Sequence, residues 1–231
     1  MKERIQSCQN LKIYASVLSA DFLSLAKNLK DVALYVDGLH WDVMDGHYVK
    51  NITLGPKFVL ESRSLFPDIW FDVHIMASPS EDIIRLFFEL SVQSLSFHPK
   101  TVKDPLKIIN LLHSKRIKAG LAINLEDDLS VWPVSWWERA DYLLVMAVNP
   151  GFGGQKFNNK ALKNIDFIRQ CTASDIFVDG GIVPETAQLC QNRGVMGVIS
   201  GNFIFRHTSY KESIEALKKK EIIKEVFFKK S

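Results

Sequence analysis

Cysteine is scarce in this chain. Its 231 residues contain only three, Cys8, Cys171 and Cys190, and no two of them form a CxxC pair. Disulfide frameworks and structural zinc sites use more cysteines at short spacings, so the sequence argues against both classes. A reducing compartment, the cytoplasm, is the predicted location.

Long apolar runs are also missing. No window approaches the eighteen or more apolar residues that a membrane span needs. The first twelve residues are polar and charged, unlike the apolar core of a signal peptide. We therefore predict no membrane association and no export.

An excess of one charge is the third absence. The 29 Lys and Arg residues nearly balance the 26 Asp and Glu residues, which leaves a net charge of +3. This balance gives no reason to predict a nucleic-acid partner. The lysine-rich stretch KKKEIIKEVFFKK (218–230) is interpreted as the solvated end of a last helix. The predicted organisation is one domain with a polar N-terminal extension (1–11) and a basic C-terminal helix and tail (209–231).

Short apolar runs alternate with stretches of helical spacing along the whole chain. The predicted strands are Ile13–Val17, Gly38–Met44, Trp70–Ile75, Ser94–Phe97, Lys118–Ile123, Tyr142–Ala147, Ile176–Asp179 and Gly197–Ser200. The predicted helices are Phe22–Val36, Pro56–Phe66, Ser80–Leu90, Asp104–Ser114, Asn158–Gln170, Pro184–Arg193 and Ser209–Lys220. Residues 126–139 are the least regular part, because Pro133 should interrupt a helix there.

Eight strands that alternate with helices are typical of a single-domain α/β protein, the closed parallel (β/α)8 or TIM barrel. A doubly wound open sheet is the alternative. Its first strand is usually followed by a glycine fingerprint, whereas VLSADFLSL follows here. The barrel is therefore the predicted fold.

Catalytic groups of such a barrel lie at the C-terminal ends of its strands. In HWDVMDG (40–46), alternation puts His40, Asp42 and Met44 on one face, whereas Asp45 has the opposite phase and is predicted to shape the following loop. The same arithmetic in other strands adds Asp72, His74, Met76, Met146 and Asp179. Two histidines and two carboxylates, His40, Asp42, His74 and Asp179, predict a site for one divalent metal ion. Zinc, iron(II), manganese and cobalt remain open.

Glycine clusters follow the last three predicted strands: NPGFGGQ (149–155), DGG (179–181) and SGN (200–202). Glycine lets backbone N–H groups surround an anion without obstruction by side chains. The loops after strands seven and eight often hold a phosphate in this fold. The clusters predict a phosphate site.

Five stretches resemble the signatures of the ribulose-phosphate 3-epimerase family, in order from about Lys12 to Phe205. They are SVLSADF (16–22), HWDVMDGHYVKNITLGP (40–56), DVHIM (72–76), VMAVNPGFGGQKF (145–157) and VDGGI (178–182). The resemblance implies a TIM barrel that interconverts ribulose 5-phosphate and xylulose 5-phosphate. It implies His40, Asp42, His74 and Asp179 as metal ligands, with Asp42 and Asp179 as the acid/base pair. It also implies a homo-oligomer.

The resemblance further implies a set of substrate-binding residues. They are Ser16, Met44, His74, Met76, Met146, Gly151, Gly153, Gly154, Gly180, Gly181, Gly201 and Asn202. The chemistry fits, because inverting a carbon beside a ketone needs two acid/base groups on opposite faces of a flat enediolate. A metal would stabilise the negative charge on the enediolate oxygens.

Several positions depart from the family pattern. Ala15 and Lys50 stand where proline is usual, LED (125–127) replaces a PAT-like turn, Lys100 replaces an acidic residue and Asn202 replaces a serine. None removes a predicted ligand, but they leave the substrate open. A 3-epimerase of a longer ketose phosphate, such as allulose 6-phosphate, and a catalytically silent sugar-phosphate binder are the alternatives.

Two other enzyme classes fit less well. A Schiff-base aldolase would need a lysine at the C-terminal end of an inner strand, whereas Lys118 begins its strand. A metal-dependent hydrolase has little use for three glycine clusters.

The aromatic stretch WPVSWW (132–137) is interpreted as a helix that packs on the outside of the barrel, with an oligomer interface as the alternative.

Overall fold

The computed structural model describes residues 10–219, and eight parallel strands in it form one closed barrel. Each strand pairs with the next in the chain, and the last pairs with the first. The strands are β1 (Lys12–Ser16), β2 (Gly38–Met44), β3 (Trp70–Met76), β4 (Ser94–Phe97), β5 (Lys118–Ile123), β6 (Tyr142–Met146), β7 (Asp175–Asp179) and β8 (Gly197–Ser200). The predicted TIM barrel is confirmed, and no predicted strand bound is wrong by more than one residue.

Helices cover the outside of the barrel. They are α1 (Leu25–Val32), α2 (Pro56–Leu65), α3 (Glu81–Arg85), α4 (Pro105–Ser114), α5 (Val134–Arg139), α6 (Lys160–Cys171), α7 (Pro184–Gln191), α8 (Asn202–Phe205) and α9 (Tyr210–Lys218). Pro56, Pro105 and Pro184 occupy the first turns of α2, α4 and α7, where a missing N–H costs nothing. Short 3₁₀ helices span Val17–Ser19, Phe22–Ser24, Pro99–Thr101 and Leu129–Val131.

Two predicted helices are much shorter in the structure, the bounds of the others differ by at most two residues, and α8 was not predicted. The predicted helix Phe22–Val36 begins as a 3₁₀ turn that Asp21 caps, and Ser24 leaves the helical region at φ −126° before α1. The predicted helix Ser80–Leu90 is α3 followed by turns whose N–H groups bond to the third residue back. Ser91, at φ 53°, ends that run. Tighter turns therefore replace α-helix at both places.

The strands separate two cores. Outward-facing residues of β2, such as Trp41 and Val43, belong to the large core between barrel and helices. Inward-facing residues of other strands, including Tyr14, Tyr142 and Phe177, fill the lower half of the barrel. Both faces of β2 are buried, and its outer face packs in the apolar core against the helices. Polar side chains of this strand therefore lie inside the barrel.

The stretch between β5 and β6 packs on the barrel, as predicted. Pro133 immediately precedes α5 as its N-cap, which agrees with a break at that proline. Trp137 is buried, and Trp132 stacks on it with 5.1 Å between ring centroids. The predicted homo-oligomer stays a prediction.

Parts of the predicted organisation lie outside the described residues. These are Cys8, most of the N-terminal extension and the lysine-rich tail from Lys220 onward. Within residues 10–219, no helix is long and apolar enough to cross a membrane. The cytoplasmic location stays a prediction.

Gly120 on β5 provides a test of packing inside the barrel. A Cβ there would overlap the ring of Tyr142, whose hydroxyl donates a hydrogen bond to Asp72. We expect Gly120→Ala to lower the free energy of unfolding by about 1–3 kcal/mol, because the ring must leave a filled core. Denaturant unfolding measures this.

Gly55 is the matched control, because a Cβ at this N-cap position meets no atom within 4 Å. Gly55→Ala should cost less than about 1 kcal/mol, the usual range for a poorer N-cap. Equal stability of Gly120→Ala and the unchanged protein would contradict the packing described here.

Candidate active site

A cavity of about 610 Å³ opens at the C-terminal end of the barrel. Every predicted substrate-binding residue lines it except His74. His40 and His74 are fully buried and do not line the cavity. Asp42 and Asp179 form part of its lining, so both carboxylates face the cavity.

His40, Asp42, His74 and Asp179 meet at one point. Each offers a ligand atom, and these atoms all lie within 4.8 Å of one another. Asp42 Oδ1 is 3.3 Å from His40 Nε2 and 3.4 Å from His74 Nδ1. The hydroxyl of Ser16 donates a hydrogen bond of 2.9 Å to the other oxygen, Asp42 Oδ2. The structure therefore brings together all four predicted ligands, from β2, β3 and β7.

The donor atoms of this cluster fit a divalent cation. His40 Nε2 and His74 Nδ1 are buried and have no hydrogen-bond partner in the part of the chain that the structure describes. Buried polar atoms of proteins are almost always paired, so two unpartnered ring nitrogens beside two carboxylates fit a site that binds a cation. Imidazole nitrogen and carboxylate oxygen are common donors to transition-metal ions.

The two carboxylates differ in their affinity for protons. Burial and the nearby charge of Asp42 raise the pKa of Asp179 to about 7. Burial alone would also raise the pKa of Asp42, but His40 and His74 outweigh it and hold that pKa below its usual value. Asp42 is thus the carboxylate ready to accept a proton, and Asp179 is the one ready to donate a proton.

A second ring of buried groups holds the histidines. Asp72 Oδ2 accepts a hydrogen bond of 2.7 Å from His40 Nδ1. The Nε2 atoms of His74 and His98 are 3.0 Å apart, and both rings are fully buried. Sequence reasoning put Asp72 on the correct face without a role and missed His98. The position of His98 directly after β4 was the signal that could have identified it.

The glycine clusters after β6, β7 and β8 line one side of the cavity. Gly181 has φ 66°, and a Cβ there would overlap the backbone of Phe157 in the loop after β6. Gly154 has φ 81° and lies against the side-chain amide of Asn202 after β8. Glycine is thus required where these loops approach each other, and their backbones lie open to the cavity.

Sequence reasoning missed two polar residues on this side of the cavity. Ser19 lies beside Gly201, where a Cβ would overlap its hydroxyl. Arg206, the residue after α8, lines the cavity and forms no ion pair within residues 10–219. The stretch SVLSADF (16–22) includes Ser19 without indicating a role for it, and no motif includes Arg206. Their approach depends on how the loops after β1 and β8 fold.

The two lysines that depart from the family pattern do not line the cavity. Lys100 Nζ is 3.4 Å from Asp127 Oδ1 and 5.8 Å from the ring centroid of Tyr48. Lys50 is exposed in the loop after β2. Neither lysine therefore obstructs the site.

Asp45 organises the loop after β2, as predicted. Its Oδ1 accepts hydrogen bonds from the N–H groups of His47 and Tyr48, at 2.8 and 2.9 Å, and its Oδ2 accepts one from Ser78, at 2.9 Å. In the same loop, the amide of Asn51 donates to the carbonyl of Gly151, 2.7 Å away in the loop after β6. Two loops at the cavity mouth are therefore joined.

Comparisons with known proteins agree with this geometry. Residues 12–205 match the model of the "Ribulose-phosphate 3 epimerase family". A ribulose-phosphate 3-epimerase of Helicobacter pylori is 37% identical over 219 residues, which cover 90% of this chain and 96% of that protein. One of Bacillus subtilis is 34% identical over 215 residues, or 90% and 98% of the two chains.

Solved structures agree on the fold. The crystal structure of 3-keto-L-gulonate-6-phosphate decarboxylase from Vibrio cholerae superimposes with a TM-score of 0.67 at 15% identity. The match covers 90% of this chain and 96% of that one. At this identity, the likeness concerns the barrel alone.

We expect Asp45→Asn to lower the free energy of unfolding by about 1–2 kcal/mol at neutral pH, because an amide NH₂ would face one of the three N–H groups. Burial opposes ionisation of Asp45, but the N–H groups of Ser78, Tyr48 and His47 outweigh it and lower its pKa. The deficit should therefore be complete above about pH 4 and shrink as the pH falls further, because the native carboxylate then becomes protonated. Urea unfolding at pH 3 to 7 tests this, and a pH-independent deficit would contradict it.

Proposed function

The chain belongs to the ribulose-phosphate 3-epimerase family and is therefore a carbohydrate epimerase, and we propose that it interconverts D-ribulose 5-phosphate and D-xylulose 5-phosphate. One observation carries the proposal: Asp42 and Asp179 face one cavity beside two orphaned imidazole nitrogens. That arrangement supports proton transfer at a carbon beside a ketone.

In this proposal, Asp42 and Asp179 exchange protons with carbon 3. Ionised Asp42 takes the C3 proton from one face, and the bonding electrons pass into the enediolate. Protonated Asp179 returns a proton to C3 from the other face, and the reverse reaction exchanges the two roles. Asp42 and Asp179 come from separate strands, β2 and β7, and both line the cavity, which supports this division of roles.

His40, Asp42, His74 and Asp179 are the proposed ligands of one divalent cation per subunit. When bound, the cation would supply Lewis-acid stabilisation of the charge that develops on the substrate oxygens. The donor types are compatible with zinc, iron(II), manganese or cobalt. Met44, Met76 and Met146 line the cavity with apolar side chains, which would exclude water from the reacting carbon. They also offer no competing proton donor.

The phosphate is proposed to lie among the loops after β6, β7 and β8. Backbone groups of Gly153, Gly154, Gly180 and Gly181 would surround it, with Gly201 and Asn202 on the β8 side. Arg206 would supply a positive charge, because this residue lines the same cavity and forms no ion pair with a carboxylate in the described structure.

The aldolase alternative loses its candidate nucleophile. Lys118 is exposed at the start of β5, and its ammonium lies 5.4 Å from the ring centroid of Trp70, which begins β3. Both positions are at the N-terminal end of the barrel, away from the cavity. A Schiff base at Lys118 could not reach the substrate.

Asp179→Asn tests the acid/base assignment. We expect kcat to fall by about 10²–10⁴, because an amide cannot donate the second proton. Purified protein supplied with manganese(II) is incubated with ribulose 5-phosphate in deuterated water, and C3 is followed by NMR.

Asp68→Asn is the matched control, because Asp68 is exposed just before β3 at the far end of the barrel. Near-normal turnover by Asp179→Asn would overturn the two-carboxylate mechanism. A faster reaction with allulose 6-phosphate would instead correct the substrate and leave the mechanism standing.

Arg206→Gln tests the phosphate site. We expect KM for ribulose 5-phosphate to rise about tenfold with little change in kcat, which corresponds to about 1.4 kcal/mol of lost binding. Inorganic phosphate should inhibit the variant about tenfold more weakly.

Arg193→Gln is the control, because Arg193 pairs with Asp166 on α6, outside the barrel. Unchanged KM and unchanged phosphate inhibition in Arg206→Gln would remove Arg206 from the site.

A further inference from the structure

Asp72 is a buried carboxylate with three hydrogen-bond donors around it. Its Oδ2 accepts from His40 Nδ1 at 2.7 Å. Its Oδ1 accepts from the hydroxyls of Ser94 and Tyr142, at 2.5 and 2.7 Å. An ionised carboxylate only accepts hydrogen bonds, so the ring proton of His40 must be on Nδ1. The lone pair left to neutral His40 is then on Nε2, the orphaned atom beside Asp42.

His98 is the buried hydrogen-bond partner of His74, on its Nε2 atom rather than its Nδ1 atom. Their Nε2 atoms are 3.0 Å apart, so one must carry a proton and the other must accept it. If His74 donates from Nε2, its lone pair is on Nδ1, the orphaned atom 3.4 Å from Asp42 Oδ1. His98 must then carry its own proton on Nδ1, which has no partner in the described structure.

The partners themselves are held in place. The ring of His98 packs on Tyr48 with 4.8 Å between centroids, and the hydroxyl of Tyr48 accepts a hydrogen bond of 2.8 Å from Asn124. Asp72 pairs with His40 across the β2–β3 ladder. Neither histidine ligand can therefore turn over without breaking a buried contact.

We propose that Asp72 and His98 are positioning residues that fix the ring protons of His40 and His74 on opposite nitrogens, so that Nε2 of one and Nδ1 of the other face the same point. The inference rests on the proposed function, because that point is the proposed cation site. Neither residue touches the substrate. Both act by directing toward the cation site the one lone pair that each imidazole has in its neutral, cation-bound form, which strengthens binding of the cation.

Cobalt(II) binding to the metal-stripped full-length protein is the test. Its visible absorption reports the ligand set, and titration gives Kd. We expect Asp72→Ala and His98→Phe, which leave no acceptor for the ring proton, each to raise Kd by about 10–100-fold, the usual effect of removing such a partner. His98→Gln keeps an acceptor close to the position of Nε2 and should restore binding to within about threefold.

The unsubstituted protein provides a readout that needs no variant. In the zinc-loaded protein labelled with ¹⁵N-histidine, NMR should show His40 protonated on Nδ1 and His74 on Nε2. The same ring nitrogen protonated in both would overturn the inference, as would equal cobalt Kd values for all three variants and the unsubstituted protein.

The two proposals fail in different ways. A protein that exchanges deuterium at C3, while its Asp72 and His98 variants bind cobalt normally, retains the proposed function and loses this inference. A protein that catalyses no exchange at C3 but shows the cobalt and NMR results loses the proposed function and retains the positioning roles. A protein that binds no cobalt overturns the cation site and this inference together.

Discussion

The register between β2 and β3 is the constraint on which the whole site depends. It aligns His40 with Asp72, Asp42 with His74 and Met44 with Met76. Because side chains alternate along a strand, a slip of one residue would turn all of these outward and bring Trp41 and Val43 inside. The outward pair belongs to the large core against the helices, so the same packing that stabilises the barrel also fixes its polar interior.

That register makes buried charge tolerable. Asp72 would be costly alone at such depth, but three donors surround it, and Tyr142 belongs to the apolar filling of the lower barrel. Burial and the field of Asp72 raise the pKa of Tyr142 well above its usual value, so this hydroxyl remains a donor. The lower, apolar half of the barrel therefore supports the polar upper half directly.

Much of this arrangement could be predicted from the sequence. Period-two alternation identified the faces of β2 and β3, and the ends of β6 and β7 supplied Met146 and Asp179. The contacts of His98 and Arg206 could not be predicted in this way. His98 directly follows β4 and Arg206 directly follows α8, at positions where no periodicity indicates the direction of a side chain. Phe22–Val36 was overestimated because apolar spacing does not distinguish a 3₁₀ turn from an α-helix.

Closure of the barrel has a consequence for how the chain folds. The β1–β8 ladder joins Lys12 to Gly197 and Ala15 to Ser200, so the last pairing links residues near the two ends of the described chain. Contacts of such long sequence separation form slowly, because the entropy of closing the loop must be lost first. During synthesis, β1 must wait for almost the entire barrel to emerge before it gains its second neighbour. Until the barrel closes, both edge strands present unpaired N–H and C=O groups, through which the growing chain can aggregate.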